Sequence, residues 1–292
     1  MHRPILAFLS MDDLTGYVTY DHLPARILED RGWAVEFPSW RSAEDWARFA
    51  AVVIRSPWDY QKNPDAYMGV LRQIVAAGTP LHNSLGIVEW NLRKTYLREL
   101  TAKGVSTIPT LWEDRLQPGG LPELGRRLGP EEIVLKPIVG ANADGAFRLR
   151  APFAGPDARE AERTYASEPF MAQPFLPSVV EDGEISLFFF CGAYSHAVHK
   201  KPKAGDFRVQ EEHGGILTPV VADSAAQAVS AEALRSLPGP TLYARIDLVR
   251  LPDGAWAVME VEVNEPSLYF NIDPESAVRF ADAVESVVSK SR

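Results

Sequence analysis

The chain has 292 residues, 46% of them hydrophobic, which suits two or three subdomains with ample core rather than one small domain. Its formal net charge of −9 argues against nucleic acid or an anionic membrane surface as a partner. A lone cysteine, Cys191, in the apolar run LFFFCG, excludes an internal disulfide framework and reads as a packing residue in a reducing compartment.

The first apolar run, Ile5 to Leu9, is short and followed by Asp12 and Asp13, so it reads as a buried strand and not a signal peptide. No later run is long enough to span a bilayer, and a cytoplasmic protein is expected. A helical pattern from Tyr20 to Arg31 ends at Gly32, a residue suited to the position after a helix. Strands follow at residues 34–37 and 51–54, the second as continuously apolar as a strand covered on both faces. Asn63-Pro64 predicts the start of a helix running to Gly78, and Pro80-Leu81-His82 begins another strand. This alternation predicts a parallel sheet with helices on its faces. No glycine-rich turn follows the first strand, so a dinucleotide fingerprint is absent. Two polar turns leave the carboxyl ends of strands, where open α/β sheets hold ligands. In them Arg55 could clamp a carboxylate, Asp12, Asp13 or Asp59 could hold an ammonium group, and Trp58 and Tyr60 could wall a compact pocket. Taken singly, each of these residues is better explained by capping and turn formation.

One helix is predicted over residues 86–103, carrying Asn91-Leu92-Arg93-Lys94 and closed by Gly104, then a strand over Val105 to Leu111. A Pro- and Gly-rich stretch with a short helix near Glu123 to Leu128 precedes the strand Ile133 to Pro137. Residues 138–146, IVGANADGA, form a loop of small residues whose amides could fold over phosphates, although many hairpins contain glycine. A strand at 147–149, a helix at 157–166 and a crossover strand at 171–177 come next. A hairpin about Gly192 leads into His199-Lys200-Lys201-Pro202-Lys203 and Gly205-Asp206-Phe207-Arg208, a cationic run suited to a triphosphate or to a solvated loop. Helices are predicted at 224–237 and from Asp273-Pro274 to Ser289. The six histidines show no metal-ligand spacing.

The stretch Tyr243 to Phe270 is the most informative. Asp253-Gly254 predicts a two-residue hairpin turn, which sets Asp247 opposite Glu260 and Arg245 opposite Glu262. Side-chain alternation then puts Arg245, Asp247, Glu260, Glu262 and Asn264 on one face. Facing carboxylates destabilise a sheet unless a cation sits between them, and hard oxygen donors suit Mg²⁺. A solvated acidic face with an Arg245–Glu262 ion pair is the other reading.

In order and spacing, these pieces resemble the ATP-grasp ligase superfamily over roughly residues 86–270. The resemblance implies an α/β fold of mixed α+β type: a Rossmann-like parallel-sheet domain at 1–85, a connecting helix at 86–104, a central lid at 105–170, and a mostly antiparallel catalytic sheet at 171–292. It implies that Lys94 and Lys136 meet ATP phosphates, with Gly140 in the lid loop. Residues 172–177 resemble the hinge of bacterial glutathione synthetases, which implies adenine at Gln173, Phe175 and Leu176 and ribose at Glu184. Residues 204–208 with Gly214-Gly215 resemble the same family's phosphate and substrate loop. Ala244-Arg245-Ile246-Asp247 is similar to the strand of D-alanine–D-alanine ligases in which the aspartate binds metal and the arginine faces the reacting carboxyl. The family usually closes its metal site with Glu-x-Asn. Glu262-Val263-Asn264 matches by letter, whereas the hairpin register favours Asp247, Glu260 and Glu262, with Asn264 second.

A closer resemblance, carried by residues 55–60, 201–215 and Glu265-Pro266-Ser267-Leu268, is to the subgroup containing the cycloserine-forming ligase. The activity implied is ATP- and Mg²⁺-dependent joining of a carboxylate to an amine through an acyl phosphate, with two Mg²⁺ ions expected and Mn²⁺ able to substitute. Arg208, Arg245 and Lys201 are the expected catalytic cations, and Asp12, Asp13, Arg55, Trp58 and Asp59 the expected substrate residues. Small-molecule carboxylate and amine substrates are expected, with no nucleic acid or membrane and a homodimer or homotetramer open. A ligase acting on a peptide or protein tail, and a non-catalytic nucleotide sensor, are the alternatives.

Overall fold

The computed structural model describes residues 3–140, 144–203, 208, 209, 211 and 214–290. Residues 141–143 of the expected lid loop and Ala204 to Phe207 of the expected phosphate loop lie outside the described residues. Three sheets are built in chain order. The first is parallel, in the order β2-β1-β3-β4, from β1 (Ile5–Ser10), β2 (Ala34–Glu36), β3 (Ala51–Ser56) and β4 (Leu81–His82). Helices α1 (His22–Asp30) and α2 (Pro64–Ala76) connect its strands, and the Asn63 side chain accepts from the Ala66 amide as the predicted cap of α2.

The predicted helix over 86–103 is instead two, α3 (Leu85–Asn91) and α4 (Tyr96–Ala102). The break has a physical cause. The Asn91 side chain donates to Val261 O (2.8 Å) and accepts from Val263 N (3.2 Å), while the Tyr96 hydroxyl donates to Val261 O (2.9 Å). These groups satisfy the stretch of a sheet edge around Val261 and Val263 that no described strand pairs with, and the chain between them turns to aim Lys94 inward.

A second, antiparallel sheet has the order β5-β8-β6-β7, from β5 (Leu111–Glu113), β6 (Glu132–Pro137), β7 (Phe147–Arg150) and β8 (Phe170–Pro174), backed by α5 (Leu121–Leu128) and α6 (Pro156–Thr164). The strand predicted from Val105 starts only at Leu111. Thr107 makes a single bridge to Val258, so this stretch ties the second sheet to the third. After the short helix α7 (Ser178–Glu181), the third sheet has the order β11-β10-β9-β12-β13: β9 (Glu184–Phe190), β10 (Ala193–Lys201), β11 (Ile216–Val220), β12 (Tyr243–Arg250) and β13 (Trp256–Glu262). Strand β11 was not predicted. Helix α8 (Ser224–Arg235) packs on β12 and β13. Helix α9 (Pro274–Lys290) is the keystone: Phe280 meets Phe8 of the first sheet and Phe190 of the third with ring centroids 6.2 and 5.3 Å apart. Cys191, predicted to pack, takes positive φ at the β9–β10 turn and is exposed.

The β12–β13 register holds a double departure from prediction. Near the turn, Arg250 pairs with Trp256 and Leu251 N donates to Ala255 O, so the loop is three residues, Pro252 to Gly254, with Gly254 at φ +83°. That slips the register by one relative to a two-residue loop. A bulge at Met259 then takes up the extra residue and restores the predicted pairs, Asp247 with Glu260 and Arg245 with Glu262.

No helix among the described residues is long and apolar enough to cross a membrane.

Candidate active site

A cavity runs between the second and third sheets and reaches the first sheet's Trp58 turn. Its floor is the inner face of β9, β10, β12 and β13. Pairing there sets Lys200 opposite Glu184, Asp247 opposite Ser186, and Glu260 and Glu262 opposite Asp247 and Arg245. Asp247, only 3% exposed, accepts from Ser186 Oγ (2.5 Å), Arg245 Nε (3.0 Å) and Lys200 Nζ (3.3 Å). Burial alone would raise its pKa, but the charges of Arg245 and Lys200 outweigh it and pull the carboxyl down to about 2. Lys200 also pairs with Glu184, whose pKa burial raises.

At the other edge Lys94 pairs with Glu260 and Arg245 with Glu262. Burial opposes the Lys94 charge, yet Glu260 and the further acids raise its pKa overall. Glu262 is pushed up to about 8, by burial first and then by Glu260 and Asp247, which Arg245 only partly offsets. Lys136 lines the same wall with no ion-pair partner among the described residues, and burial lowers its pKa. Glu265 is pushed up to about 7 by burial, against the Tyr60 hydroxyl and Lys94.

Of the expected nucleotide residues, Lys94, Lys136, Gly140, Gln173, Phe175, Leu176 and Glu184 all line this one cavity. Gln173 Nε2 donates to Thr110 Oγ1 (2.9 Å), and the Arg148 guanidinium covers the outer face of the Phe175 ring at 3.6 Å. Of the expected metal residues, Asp247, Glu260 and Glu262 line it. Asn264 is buried outside it, with Oδ1 accepting from the Tyr67 hydroxyl (2.8 Å). Among the described residues no three His, Cys, Asp or Glu side chains converge on one point as a metal site, because protein cations hold each carboxylate. The donors themselves are hard oxygens, and the carboxylate crowding that raises Glu262 is what a divalent cation relieves, so the set fits Mg²⁺ in chemistry.

Arg208 and Arg245 reach the cavity, but Lys201 does not. Lys201 is exposed and donates to Glu181 O (2.7 Å), while its neighbour Lys200 faces inward because side chains alternate along β10. A register shift at Ser195 sets Lys200 opposite Glu184, a pairing that parity counted back from the Cys191-Gly192 turn misses by one residue. The N-terminal turns divide. Trp58 and Tyr60 line the cavity. Arg55, 1% exposed, is instead committed to Asp21 (Nε–Oδ1 2.9 Å) and Pro266 O (3.2 Å), a buttress and not an open clamp. Asp59 accepts from Trp40 Nε1 (2.8 Å) and from Arg41, Asp12 lies 3.4 Å from Arg41, and Asp13 accepts from the Thr15 amide (2.8 Å). Asp12 and Asp59 are thus held by the Trp40-Arg41 segment and Asp13 by its own turn, and none of the three lines the cavity. Glu265, Ser267 and Tyr269 do line it, and sequence reasoning had treated Glu265 to Leu268 only as a subgroup marker.

Comparison with known proteins bears on the family and the fold. The family described as D-cycloserine synthetase DcsG, N-terminal domain, matches residues 6–83. The chain is 34% identical over 274 residues to the cycloserine biosynthesis protein DcsG of Streptomyces lavendulae, covering 87% of this chain and 88% of that one. It superposes on the crystal structure of D-cycloserine synthetase DcsG with a TM-score of 0.85 at 30% identity, covering 99% and 100% of the two chains. It shares its fold with the ATP-grasp ligase PsnB complexed with a phosphomimetic variant of its minimal precursor, Mg and ADP, at a TM-score of 0.68 and 16% identity, covering 98% and 99%.

Proposed function

The chain belongs to the ATP-grasp ligases, in the family of DcsG, and from that premise we propose that it closes or joins a small amino-acid-like substrate through an acyl phosphate. Ligases of this class form C–N bonds using ATP and Mg²⁺. The finer reading rests on one observation: a single cavity brings the cations Lys94, Lys136, Lys200, Arg208 and Arg245 against the carboxylates Glu184, Asp247, Glu260, Glu262 and Glu265, and ends at an aromatic wall.

In this reading the adenine lies by Gln173, Phe175 and Leu176, and Glu184 takes the ribose. Lys94 and Lys136 meet phosphate oxygens. Lys136 supports this most directly, because a cation held from water without an ion-pair partner among the described residues is ready for an anionic ligand. Lys200 would exchange Glu184 for a phosphate oxygen on binding. Asp247, Glu260 and Glu262 would hold Mg²⁺, two ions being expected and Mn²⁺ able to replace them; the metal neutralises charge on the phosphates. The substrate carboxylate attacks the terminal phosphorus, and ADP leaves. Arg245 stabilises the transferring phosphoryl group and then the tetrahedral oxyanion, with Arg208 beside it. A nitrogen of the substrate attacks the acyl carbon, inorganic phosphate leaves, and the nitrogen gives up its proton to solvent. The wall of Trp58, Tyr60 and Tyr269 keeps water from the acyl phosphate.

The likeness to a D-cycloserine synthetase points to an amino-oxy amino acid whose own amino-oxy nitrogen closes the ring. ADP release with Mg²⁺-ATP, followed by mass spectrometry, tests this against amino-oxy amino acids, single amino acids, dipeptides and longer peptides. Turnover of one amino-oxy substrate alone, giving a product lighter by one water, supports ring closure. Turnover needing two substrates makes it an amide ligase, turnover of long peptides only makes it a tail ligase, and nucleotide binding without ADP release makes it a sensor.

A further inference from the structure

The buried or half-buried carboxylates of the cavity fall into two kinds, the exposed Asp144 at its rim aside. Glu184, Asp247, Glu260 and Glu262 each contact a lysine or arginine. Glu265 lines the same cavity at 9% exposure and makes no ion pair with any described residue. A buried carboxylate without a cation is costly unless a ligand supplies one.

Its position is built and not incidental. The Trp58 indole donates to Glu265 O (2.8 Å), Arg55 donates to Pro266 O (3.2 Å), and Arg245 Nη1 donates to Ser267 O (3.3 Å). Three side chains from two sheets thus fix three successive carbonyls, leaving the Glu265 carboxylate facing the Tyr60 hydroxyl at the aromatic end. The same segment carries the Arg245 contact at Ser267, whose Cα is at most about 7 Å from that of Glu265 by chain geometry. Arg245 and an acid with no ion-pair partner among the described residues therefore line one pocket. That is the charge complement of an amino-acid zwitterion.

We propose that Glu265 is the specificity-determining anchor for the substrate's α-ammonium group, with Tyr60 and Trp58 as the walls of its subsite. This rests on the reading of the cavity as an amino-acid ligase site, and it adds which end of the substrate points where: carboxylate toward Arg245, ammonium toward Glu265. Trp58 contributes the face of its ring beside a cation, and the Tyr60 hydroxyl keeps the carboxylate oriented.

The test reads binding and not turnover, so it survives a failure of the ligase reading. Calorimetry in the presence of Mg²⁺ and a non-hydrolysable ATP analogue compares two probes: 2-amino-3-(amino-oxy)propanoate, as each enantiomer, and 3-(amino-oxy)propanoate, which lacks only the α-ammonium. The native protein is expected to prefer one enantiomer of the ammonium probe over the desamino probe by roughly 10- to 100-fold, the range of a hydrogen bond between charged groups. In Glu265→Gln that preference falls to within about threefold, through loss of the ammonium probe only, with affinity for the ATP analogue unchanged. Glu265→Asp, which keeps the charge one methylene back, retains an intermediate preference. The proposal is overturned if the native protein binds neither probe, if it binds both alike, or if Glu265→Gln weakens both equally.

Discussion

Removing Lys200 probes the densest part of the site. Its Nζ lies against both Glu184 and Asp247, and the lysine and both acids are almost wholly buried. In Lys200→Met, Asp247 keeps Arg245, but Glu184 loses its one salt-bridge partner among the described residues. Breaking a buried pair from one side costs about 3–5 kcal/mol, and the surviving Arg245 contact puts the expectation near the lower end, about 3 kcal/mol. At about 2–4 °C per kcal/mol for a protein of this size, the thermal midpoint falls by roughly 6–12 °C. The pH dependence carries a sign. Burial already raises the Glu184 pKa, and loss of Lys200 raises it further. A carboxyl whose folded pKa lies above its unfolded value binds more protons folded than unfolded between the two, so stability falls as pH rises through that window. The deficit is therefore larger at pH 8 than at pH 5.5. Adding Glu184→Gln removes the orphaned charge and should recover most of the loss, which differential scanning calorimetry of the two single variants and the double variant at both pH values would measure as coupling. A single variant within about 1 kcal/mol of the native protein, or a double variant no better than Lys200→Met, refutes the buried-pair reasoning.

Other expectations follow from the same contacts. Lys136→Met removes a buried cation with no ion-pair partner among the described residues, so its thermal midpoint stays equal or rises while nucleotide affinity drops by roughly 10-fold or more, read by calorimetric titration with Mg²⁺-ATP; a lowered midpoint with unchanged affinity would contradict it. His196, stacked on Phe188 at 4.2 Å, has its pKa lowered by burial from 6.5 to about 4. The unfolded chain then binds the extra proton between those values, so stability is lost as pH falls from 6.5 toward 4, by up to about 3 kcal/mol, and His196→Asn should flatten that part of the stability–pH curve. Gly183 sits at φ +86° with Lys200 O only 2.5 Å from where a Cβ would be, so Gly183→Ala is expected to cost more than about 1 kcal/mol and to disturb the Lys200 strand; an unchanged midpoint would refute the clash. Glu260→Gln should abolish ADP release while leaving the midpoint within a few degrees, since Glu260 is placed with the metal and its partner Lys94 lies on the cavity wall.

Much of this arrangement is legible in the sequence because strand parity is strict. Once a turn is located, every second residue of β12 and β13 is assigned to a face, and Arg245, Asp247, Glu260 and Glu262 follow. The agreement at those pairs is nevertheless partly a cancellation: the loop is one residue longer than Asp253-Gly254 implies, and the Met259 bulge compensates. A bulge leaves no local signal when it interrupts a run as regular as AVMEVEV. Lys200 was passed over for Lys201 because both carry the same charge and only pairing with Glu184 separates them. The break between α3 and α4 is invisible to periodicity, since its cause is the edge of β13, distant in sequence. Arg55 shows the same limit. A charged residue after a strand reads as a ligand clamp until its buried partner, Asp21, is found on another connection.

The most direct test of the central claim follows a labelled atom. The substrate found by ADP release would be prepared with its carboxylate heavy-oxygen-labelled, turned over with Mg²⁺-ATP, and the released phosphate analysed by mass spectrometry. Attack of that carboxylate on the terminal phosphorus predicts one heavy oxygen in each inorganic phosphate. Product formation with unlabelled phosphate, or with AMP in place of ADP, would contradict the acyl-phosphate account of this site.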